Sequence, residues 1–356
     1  MIQEGKANVI IGGQWGSEGK GKLAGYLYHK YPEISVAVSD FTPNTGHTFI
    51  EDDDRKYVSK ILPIGLLFET VQHVIIGPHA VIDVDGFNKE LVDFQRTHPS
   101  TSIWIHPLAS VLTAKNVADE SRNLDHISST MQGSAAAAIG KIMRNPKDVT
   151  AVKLARDCDA FRGMICDTQS LMQDLLSQGR TALIETGQGF DLGLNNGWFW
   201  PYVTGRDVML GRILDSAGVH PSQLGSVVAA LRTYPIRVGS TEDGYSGGCH
   251  QDQHELSWDT VSNGLEHDVC EYTTVTKRLR RVFSWSDLQT KRMLKIVKPD
   301  FAFLNYINYI PVERIHQVTM RILNLLAQNG CALRLLGTGP KQGDMEEIQP
   351  ASKDEE

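Results

Sequence analysis

Gly12-Gly13-Gln14-Trp15-Gly16-Ser17-Glu18-Gly19-Lys20-Gly21-Lys22 is the densest run of potential chemistry in the chain. Glycines at 16, 19 and 21 let backbone N–H groups approach an anion, and Lys20 and Lys22 can neutralise its charge. The run follows the short apolar stretch Val9-Ile10-Ile11, so it occupies the turn between a strand and a helix read from Leu23 to Tyr31. The positive end of that helix adds to a phosphate site. The ordinary phosphate-binding loop has four residues between its glycines and a Ser or Thr after Gly-Lys. Here five residues separate Gly13 from Gly19, and Gly21 follows Lys20. This is a phosphate loop of another pattern.

Two further groups carry reactive side chains. In Asn44-Thr45-Gly46-His47-Thr48, an imidazolium beside a transferring phosphoryl group can stabilise charge and donate a proton. In the stretch from Glu271 to Arg281, the hydroxyls of Thr274 and Thr276 and the forked donors of Arg278 and Arg280 suit a carboxylate. Taken without context, those arginines are a solvated basic strip. Cys249, His250, His254 and His267 form a loose group, but their spacing matches no standard zinc pattern and they read as solvated loop residues. The five cysteines are odd in number and lack a CxxC pair, which points to reduced thiols.

These groups need a scaffold. Strand-like runs at Val9–Ile11, Ile34–Val38, Val74–Ile76, Ile103–Ile105, Ala182–Ile184, Val227–Ala230, Phe301–Leu304 and Ala332–Leu336 alternate with helical stretches such as Val312–Ala327. That alternation predicts an α/β fold with a large, mostly parallel central sheet and helices on both faces. Ligands of such sheets lie beyond the carboxyl ends of the strands, where the glycine-rich and polar motifs fall here. With 356 residues, 41% hydrophobic and 22% charged, the chain can bury a sizeable core. We expect one catalytic domain over 1–340 and a polar, frayed tail over 341–356. A formal charge of −7 disfavours a broad grip on nucleic acid. No apolar run approaches membrane-spanning length, and Met1–Asn8 lacks a signal-peptide core, so a cytoplasmic protein is expected.

The opening loop resembles Gly-x-Gln-Trp-Gly-Asp-Glu-Gly-Lys-Gly-Lys, the signature of adenylosuccinate synthetases, with Ser17 in place of the aspartate. That serine and the shorter chain are similar to the phage branch called 2-aminoadenylosuccinate synthetase, whose members take dGMP in place of IMP. Asn44-Thr45-Gly46-His47-Thr48 resembles the family's Asn-Ala-Gly-His-Thr, Glu185-Thr186-Gly187-Gln188-Gly189 its Glu-Gly-Ala-Gln-Gly, and Pro201-Tyr202-Val203-Thr204 matches its Pro-Tyr-Val-Thr. Arg237-Val238-Gly239 and Gly337-Thr338-Gly339-Pro340 match later motifs, so the resemblance runs over nearly the whole chain. Ser128-Ser129-Thr130 is a weaker match, because Met131-Gln132-Gly133 follows where the family has Gly-Arg-Gly.

The resemblance implies an adenylosuccinate-synthetase-like, P-loop-related fold and a set of roles. Ser17, Lys20 and His47 would be catalytic. Gly16, Ser17, Glu18, Gly19, Lys20, Gly21, Lys22, Gly46, His47 and Thr48 would bind ATP, with Asn305, Asn308, Gly337, Thr338, Gly339 and Pro340 around its base. Ser17, Asn44, Thr130, Gln188, Thr204, Val238 and Gly239 would hold dGMP, and Arg144 would reach the partner's nucleotide in a homodimer. Thr274, Val275, Thr276, Arg278 and Arg280 would bind aspartate. Mg²⁺ would sit at Ser17 and the Gly46 carbonyl. GTP-using relatives carry Thr-Lys-Leu-Asp where this chain has Asn305-Tyr306-Ile307-Asn308, and an amide that donates as well as accepts no longer demands guanine, which implies ATP or dATP.

The function so implied is ligation of L-aspartate to C6 of dGMP through a 6-phosphoryl intermediate, for 2-aminoadenine DNA. Ordinary adenylosuccinate synthesis from IMP stays open, as does a non-catalytic purine-nucleotide-binding regulatory protein. Serine is a poor base, so the group that takes the N1 proton is left open too.

Overall fold

Ala7–Gly12 is apolar except for Asn8 and buried at every residue, with Ile10 facing one core and Val9 and Ile11 the other. A strand covered on both faces belongs in the middle of a parallel sheet, and this one, β1, does. The computed structural model describes residues 1–349 apart from 96–99, 146, 149, 151, 243 and 274–276. After β1 come β2 (Ile34–Ser39), β3 (His47–Ile50), β4 (Lys56–Ser59), β5 (His73–Ile76), β6 (Ser102–Ile105) and β7 (Thr181–Glu185). The later strands are β8 (Leu224–Arg232), β9 (Phe301–Asn305), β10 (Ala332–Gly337) and β11 (Met345–Glu347).

Nine of these form one sheet in the order β11-β10-β9-β8-β1-β7-β2-β5-β6, parallel throughout except for the β10–β11 pair. The helices are α1 (Lys20–Lys30), α2 (Val84–Gln95), α3 (Ala114–Asn123), α4 (Ser134–Met143), α5 (Thr168–Ser177), α6 (Leu210–Ala217), α7 (Trp258–Ser262), α8 (Asp287–Val297) and α9 (Val312–Gln328). Leu23 and Leu27 of α1 and Phe87 of α2 pack on one face of the sheet. Met172 of α5, Ile213 of α6, Met293 of α8 and Ile322 of α9 pack on the other. The large parallel sheet with helices on both faces is the architecture expected from the sequence.

The fold runs past Pro340, which corrects the expected start of the tail. Met345–Glu347 pairs antiparallel with β10, and the Gln342 N–H donates to the Ile50 carbonyl at 2.8 Å. Such a strand is silent in the sequence because Met-Glu-Glu at a sheet edge pairs through its backbone, with only Met345 touching the core and both glutamates exposed. Residues 350–356 of the expected tail lie outside the described residues. Among the described residues, no helix is long and apolar enough to cross a membrane.

The hairpin β3–β4 lies against α1 and carries His47 on its first residue. Gly21 makes that contact possible: a Cβ there would stand 2.7 Å from the Thr48 carbonyl oxygen and 2.9 Å from its nitrogen. Both are backbone atoms and cannot turn aside. Gly21→Ala gains about 1 kcal/mol of helix propensity, yet overpacking costs about 1–3 kcal/mol. We expect a net loss of stability in urea unfolding together with weakened activity. A variant as stable as the wild type would show that α1 and β3 are not tightly apposed.

Candidate active site

The loops that follow β1, β2, β7 and β8 meet at the carboxyl edge of the sheet, as the parallel topology requires. They enclose a cavity of about 210 Å³. From the phosphate loop and the histidine motif it takes Gly16, Ser17, Lys20, Asn44, Gly46 and His47. Thr130, Gln188, Thr204, Val238 and Arg280 reach it from the rest of the chain. Gly16 and Arg280, 264 positions apart, thus face one space.

The phosphate loop is wrapped around an anion of its own. Glu18 is fully buried, and its Oε1 accepts from the N–H groups of Gln14 (3.1 Å) and Gly16 (2.8 Å). Its Oε2 accepts from Lys20 Nζ at 2.8 Å. The Gly16 N–H, expected to point at a phosphate, therefore already has a partner, and Glu18 shapes the loop from within. Ser17 sits in the left-handed region (φ 59°). Its Oγ accepts from Arg280 Nη1 at 3.0 Å and its carbonyl from Arg232 Nη1 at 3.0 Å. Gly19, also left-handed (φ 89°), precedes the first residue of α1, so Lys20 stands at the positive end of that helix.

His47 is 4% exposed, and neither ring nitrogen has a hydrogen-bond partner among the described residues. Glu185 Oε2 lies 3.6 Å from Nδ1, an ion-pair distance beyond hydrogen-bond reach. That carboxylate is held by the N–H groups of Ile64 and Gly65, each at 3.1 Å. Burial pulls the His47 pKa below its ordinary 6.5; Glu185 opposes this and Lys20 adds to it. A buried ring with both nitrogens unpartnered, lining a cavity, is placed to meet a ligand.

On the far wall, Asn44 Oδ1 accepts from Thr42 Oγ1 (2.5 Å) and Ser134 Oγ (3.4 Å), and its Nδ2 donates to Thr204 Oγ1 (3.5 Å). The Glu120 carboxylate accepts from the N–H groups of Gly133 (2.8 Å), Ala135 and Ala136 (3.4 Å), fixing the first turn of α4 beside Thr130. Arg144 is exposed at the far end of α4, donates to the Ile142 carbonyl at 3.2 Å, and does not line its own chain's cavity. Arg278 Nη1 donates to the Ser128 carbonyl at 3.3 Å. Gly239 lies outside the cavity lining and packs on the Leu279 carbonyl, 2.2 Å from where its Cβ would be. Thr274, Val275 and Thr276 lie outside the described residues.

Several expected contacts have other partners. Lys22 Nζ donates to the carbonyls of Gly339 (2.7 Å) and Asp344 (2.6 Å), and burial lowers its pKa to about 8. It therefore ties α1 to the loop after β10 and does not line the cavity. Thr48 is half-buried in the β3–β4 hairpin, on which α1 packs through Gly21. Asn305 is 5% exposed, its Nδ2 donates to the Glu18 carbonyl at 3.3 Å, and it fills the space beside Gly19 and Gly337. Asn308 and Pro340 are exposed, while Thr338 and Gly339 are half-buried.

Sequence reasoning did not anticipate the packing below the cavity. Asp191 is fully buried and accepts from Trp15 Nε1 (3.0 Å), Gln289 Nε2 (3.1 Å) and Arg292 Nη1 (3.1 Å), with His250 Nε2 at 2.8 Å. His250, read as a solvated loop residue, is 7% exposed and stacks on Trp15. Arg237 is likewise buried, with its guanidinium 4.3 Å from the Trp15 ring centroid. The signal for Arg237 is a charged residue closing an apolar strand; His250 gives none.

The His47 shift yields a pH test. Above about pH 6.5 the imidazole is neutral in both folded and unfolded chains. As pH falls below 6.5 the unfolded chain takes up the proton first, so the fold loses stability. His47→Gln should therefore lose less stability than the wild type between pH 7 and pH 5, measured by denaturant melts. Parallel acid slopes would overturn the buried, neutral assignment.

A family model described as adenylosuccinate synthetase matches residues 9–157 and 147–298. The N6-succino-2-amino-2'-deoxyadenylate synthase of Vibrio phage phiVC8 is 35% identical over 349 residues, 95% of this chain and 97% of that protein. The solved structure of cyanophage S-2L succinoaminodeoxyadenylate synthetase, bound to dGMP and to dATP as an energy donor, superposes with a TM-score of 0.86 at 31% identity, covering 98% of this chain and 97% of that one. Fully ligated adenylosuccinate synthetase from Plasmodium falciparum has the same fold, with a TM-score of 0.78 at 20% identity. The chain that wraps its phosphate loop around Glu18 and sets His47 beside it belongs to the adenylosuccinate synthetase family.

Proposed function

We propose that this protein joins L-aspartate to C6 of dGMP with hydrolysis of ATP or dATP, giving N6-succino-2-amino-2'-deoxyadenylate, ADP or dADP, and phosphate. The guanine O6 attacks the terminal phosphorus and the nucleoside diphosphate leaves. The aspartate amine then attacks C6, and the C6–O bond breaks to release phosphate. The observation that carries the reading is Ser17, a short neutral side chain facing the cavity that also takes in Lys20, His47 and Arg280. A small residue there leaves room for the 2-amino group of guanine. The phage relative at 35% identity carries the name of this synthase, and the cyanophage relative binds dGMP and dATP.

Lys20 would stabilise charge on the triphosphate, and His47 would serve the oxygen being phosphorylated. Asn44, Thr130, Gln188, Thr204 and Val238 would hold the nucleotide, and Arg278 and Arg280 the aspartate carboxylates. Glu120 supplies the lone carboxylate among the described lining residues, and its oxygens are taken by the first turn of α4. Among these residues, no free carboxylate stands in for the missing aspartate base.

Mg²⁺ fits the donors present. Ser17 and Gly46 both line the cavity, and the Ser17 hydroxyl and the Gly46 carbonyl would hold the ion together with phosphate oxygens and water. Once bound, it would neutralise charge on the transferring phosphoryl group. The protein would act in the cytoplasm, that of the host where a phage encodes it.

Arg144 supports a homodimer. It lies outside its own cavity, just past a helix whose Ile139, Ile142 and Met143 are 60%, 71% and 69% exposed. In a dimer that face would be covered and Arg144 would reach the partner's nucleotide phosphate.

Phosphate release with ATP, Mg²⁺ and aspartate, compared across dGMP, GMP and IMP, tests the ligase reading. Turnover should depend on aspartate and be highest with dGMP, and Ser17→Asp should lower the dGMP-to-IMP ratio by about tenfold or more. Preference of the wild type for IMP would sink the substrate assignment. For the dimer, light scattering should give twice the chain mass, and Arg144→Ala should raise the KM for dGMP about tenfold, the loss of one charge-assisted hydrogen bond. An unchanged KM would remove Arg144 from the site.

A further inference from the structure

Arg232 ends β8 with a guanidinium that is 0% exposed, and a charge so buried needs partners on every side. Both terminal nitrogens have them, from different loops, while Nε has no hydrogen-bond partner among the described residues. Nη2 bonds Glu271 Oε1, and Nη1 reaches Glu271 Oε2 at 3.3 Å. Nη1 also donates to the Ser17 carbonyl at 3.0 Å, and the guanidinium lies 4.0 Å from the Tyr306 ring centroid. The backbone is tied as well: the Arg232 N–H donates to Gln14 Oε1 at 2.9 Å, and Gln14 Nε2 returns a bond to the Arg232 carbonyl at 3.2 Å.

Glu271 is held at both its ends. Its side chain takes Arg232, while its carbonyl accepts the Arg280 N–H at 2.8 Å. Residues 271–273 and 277–280 run as the two arms of a hairpin, in which Tyr272 bridges Leu279 and the Thr273 N–H donates to the Arg278 carbonyl at 2.9 Å. Glu271 and Arg280 close the open end of that hairpin. The guanidinium of Arg280 then reaches back to Ser17 Oγ at 3.0 Å. Ser17 is therefore gripped from two sides, by Arg232 on its carbonyl and Arg280 on its hydroxyl, and Glu271 fixes both arginines.

We propose that Glu271, through its ion pair with the buried Arg232, is the positioning residue that sets the arginine hairpin at its working distance from the phosphate loop. Arg232 is anchored by β8, Gln14 and the Ser17 carbonyl and stays where it is without Glu271. The hairpin end is attached elsewhere, by the Trp258 Nε1 bond to the Arg280 carbonyl at 2.8 Å and by the pairing of Arg281 with Arg237, and the Glu271 carboxylate sets its distance from β8. Removing that charge lets Arg278 and Arg280 drift from the carboxylate they bind while leaving the nucleotide contacts in place. The inference rests on the ligase reading, in which those arginines hold the aspartate.

The test is steady-state kinetics of the full chain with dGMP, ATP and aspartate varied in turn, for wild type, Glu271→Gln, Glu271→Asp and Arg232→Lys. Glu271→Gln keeps the shape and removes the charge. It should raise the KM for aspartate about tenfold or more, as expected for loss of a charged hydrogen bond. The KM values for dGMP and ATP should stay within about twofold, and kcat at saturating aspartate should be largely kept. Glu271→Asp, which retains the charge, should recover part of the loss. A wild type that does not couple aspartate to dGMP would sink the ligase reading itself. With an active wild type, an unchanged aspartate KM in Glu271→Gln overturns the positioning role. So does a parallel rise in all three KM values, or failure of both the Glu271→Gln and Arg232→Lys chains to fold, since the pair would then hold the fold and not the hairpin.

Discussion

The loop between β1 and α1 keeps its shape because one buried carboxylate sits inside it. Glu18 gathers the N–H groups of Gln14 and Gly16 and the ammonium of Lys20 around two oxygens. Each is a charge-assisted bond in a region without solvent, where such bonds are stronger and broken ones costlier. The loop thus has its curvature before any nucleotide arrives. Lys20 also arrives partly neutralised, so a phosphate must share it with Glu18.

The same device recurs across the molecule. Glu185 accepts the N–H groups of Ile64 and Gly65, Glu120 those at the start of α4, and Glu90 those of Lys60, Ile61 and Leu62. Four buried carboxylates therefore organise four chain segments by their backbones, and two of them, Glu18 and Glu120, hold segments that line the cavity. Side chains that meet a ligand then stand on loops whose own polar groups are already paired. His47 and Arg237 differ: among the described residues, both ring nitrogens of His47 and the Nε and Nη2 of Arg237 are unpartnered in the wall of the cavity.

Much of this was legible in the sequence because it is local. Val9-Ile10-Ile11 followed by glycines reads as a strand and a phosphate turn from adjacent residues alone, and the motifs around Ser17, Asn44 and Gln188 fall on one cavity. What was not legible depends on partners far along the chain. Arg232 and Glu271 are 39 residues apart, and Asp191 meets His250 across 59. Nothing in spacing announces such pairs. Lys20 and Lys22, two positions apart in the first turn of a helix, point in different directions for a related reason, one to Glu18 and one to the carbonyls of Gly339 and Asp344. The strand Met345–Glu347 escaped because an edge strand carries its information in its backbone.

Asn305 is wedged between two glycines, with its side-chain nitrogen 2.1 Å from where a Cβ of Gly19 would lie and its oxygen 2.0 Å from where one of Gly337 would lie. Its amide also donates to the Glu18 carbonyl. An aspartate at 305 would set a carboxylate against that carbonyl oxygen, and either glycine made larger would expel the side chain. Three residues distant in sequence are thus locked into one joint decision. Asn308, three positions further on, is exposed and bound by no such agreement. The stretch from 305 to 308 divides into a keystone and a free letter, and a lineage can rewrite the letter without dismantling the arch.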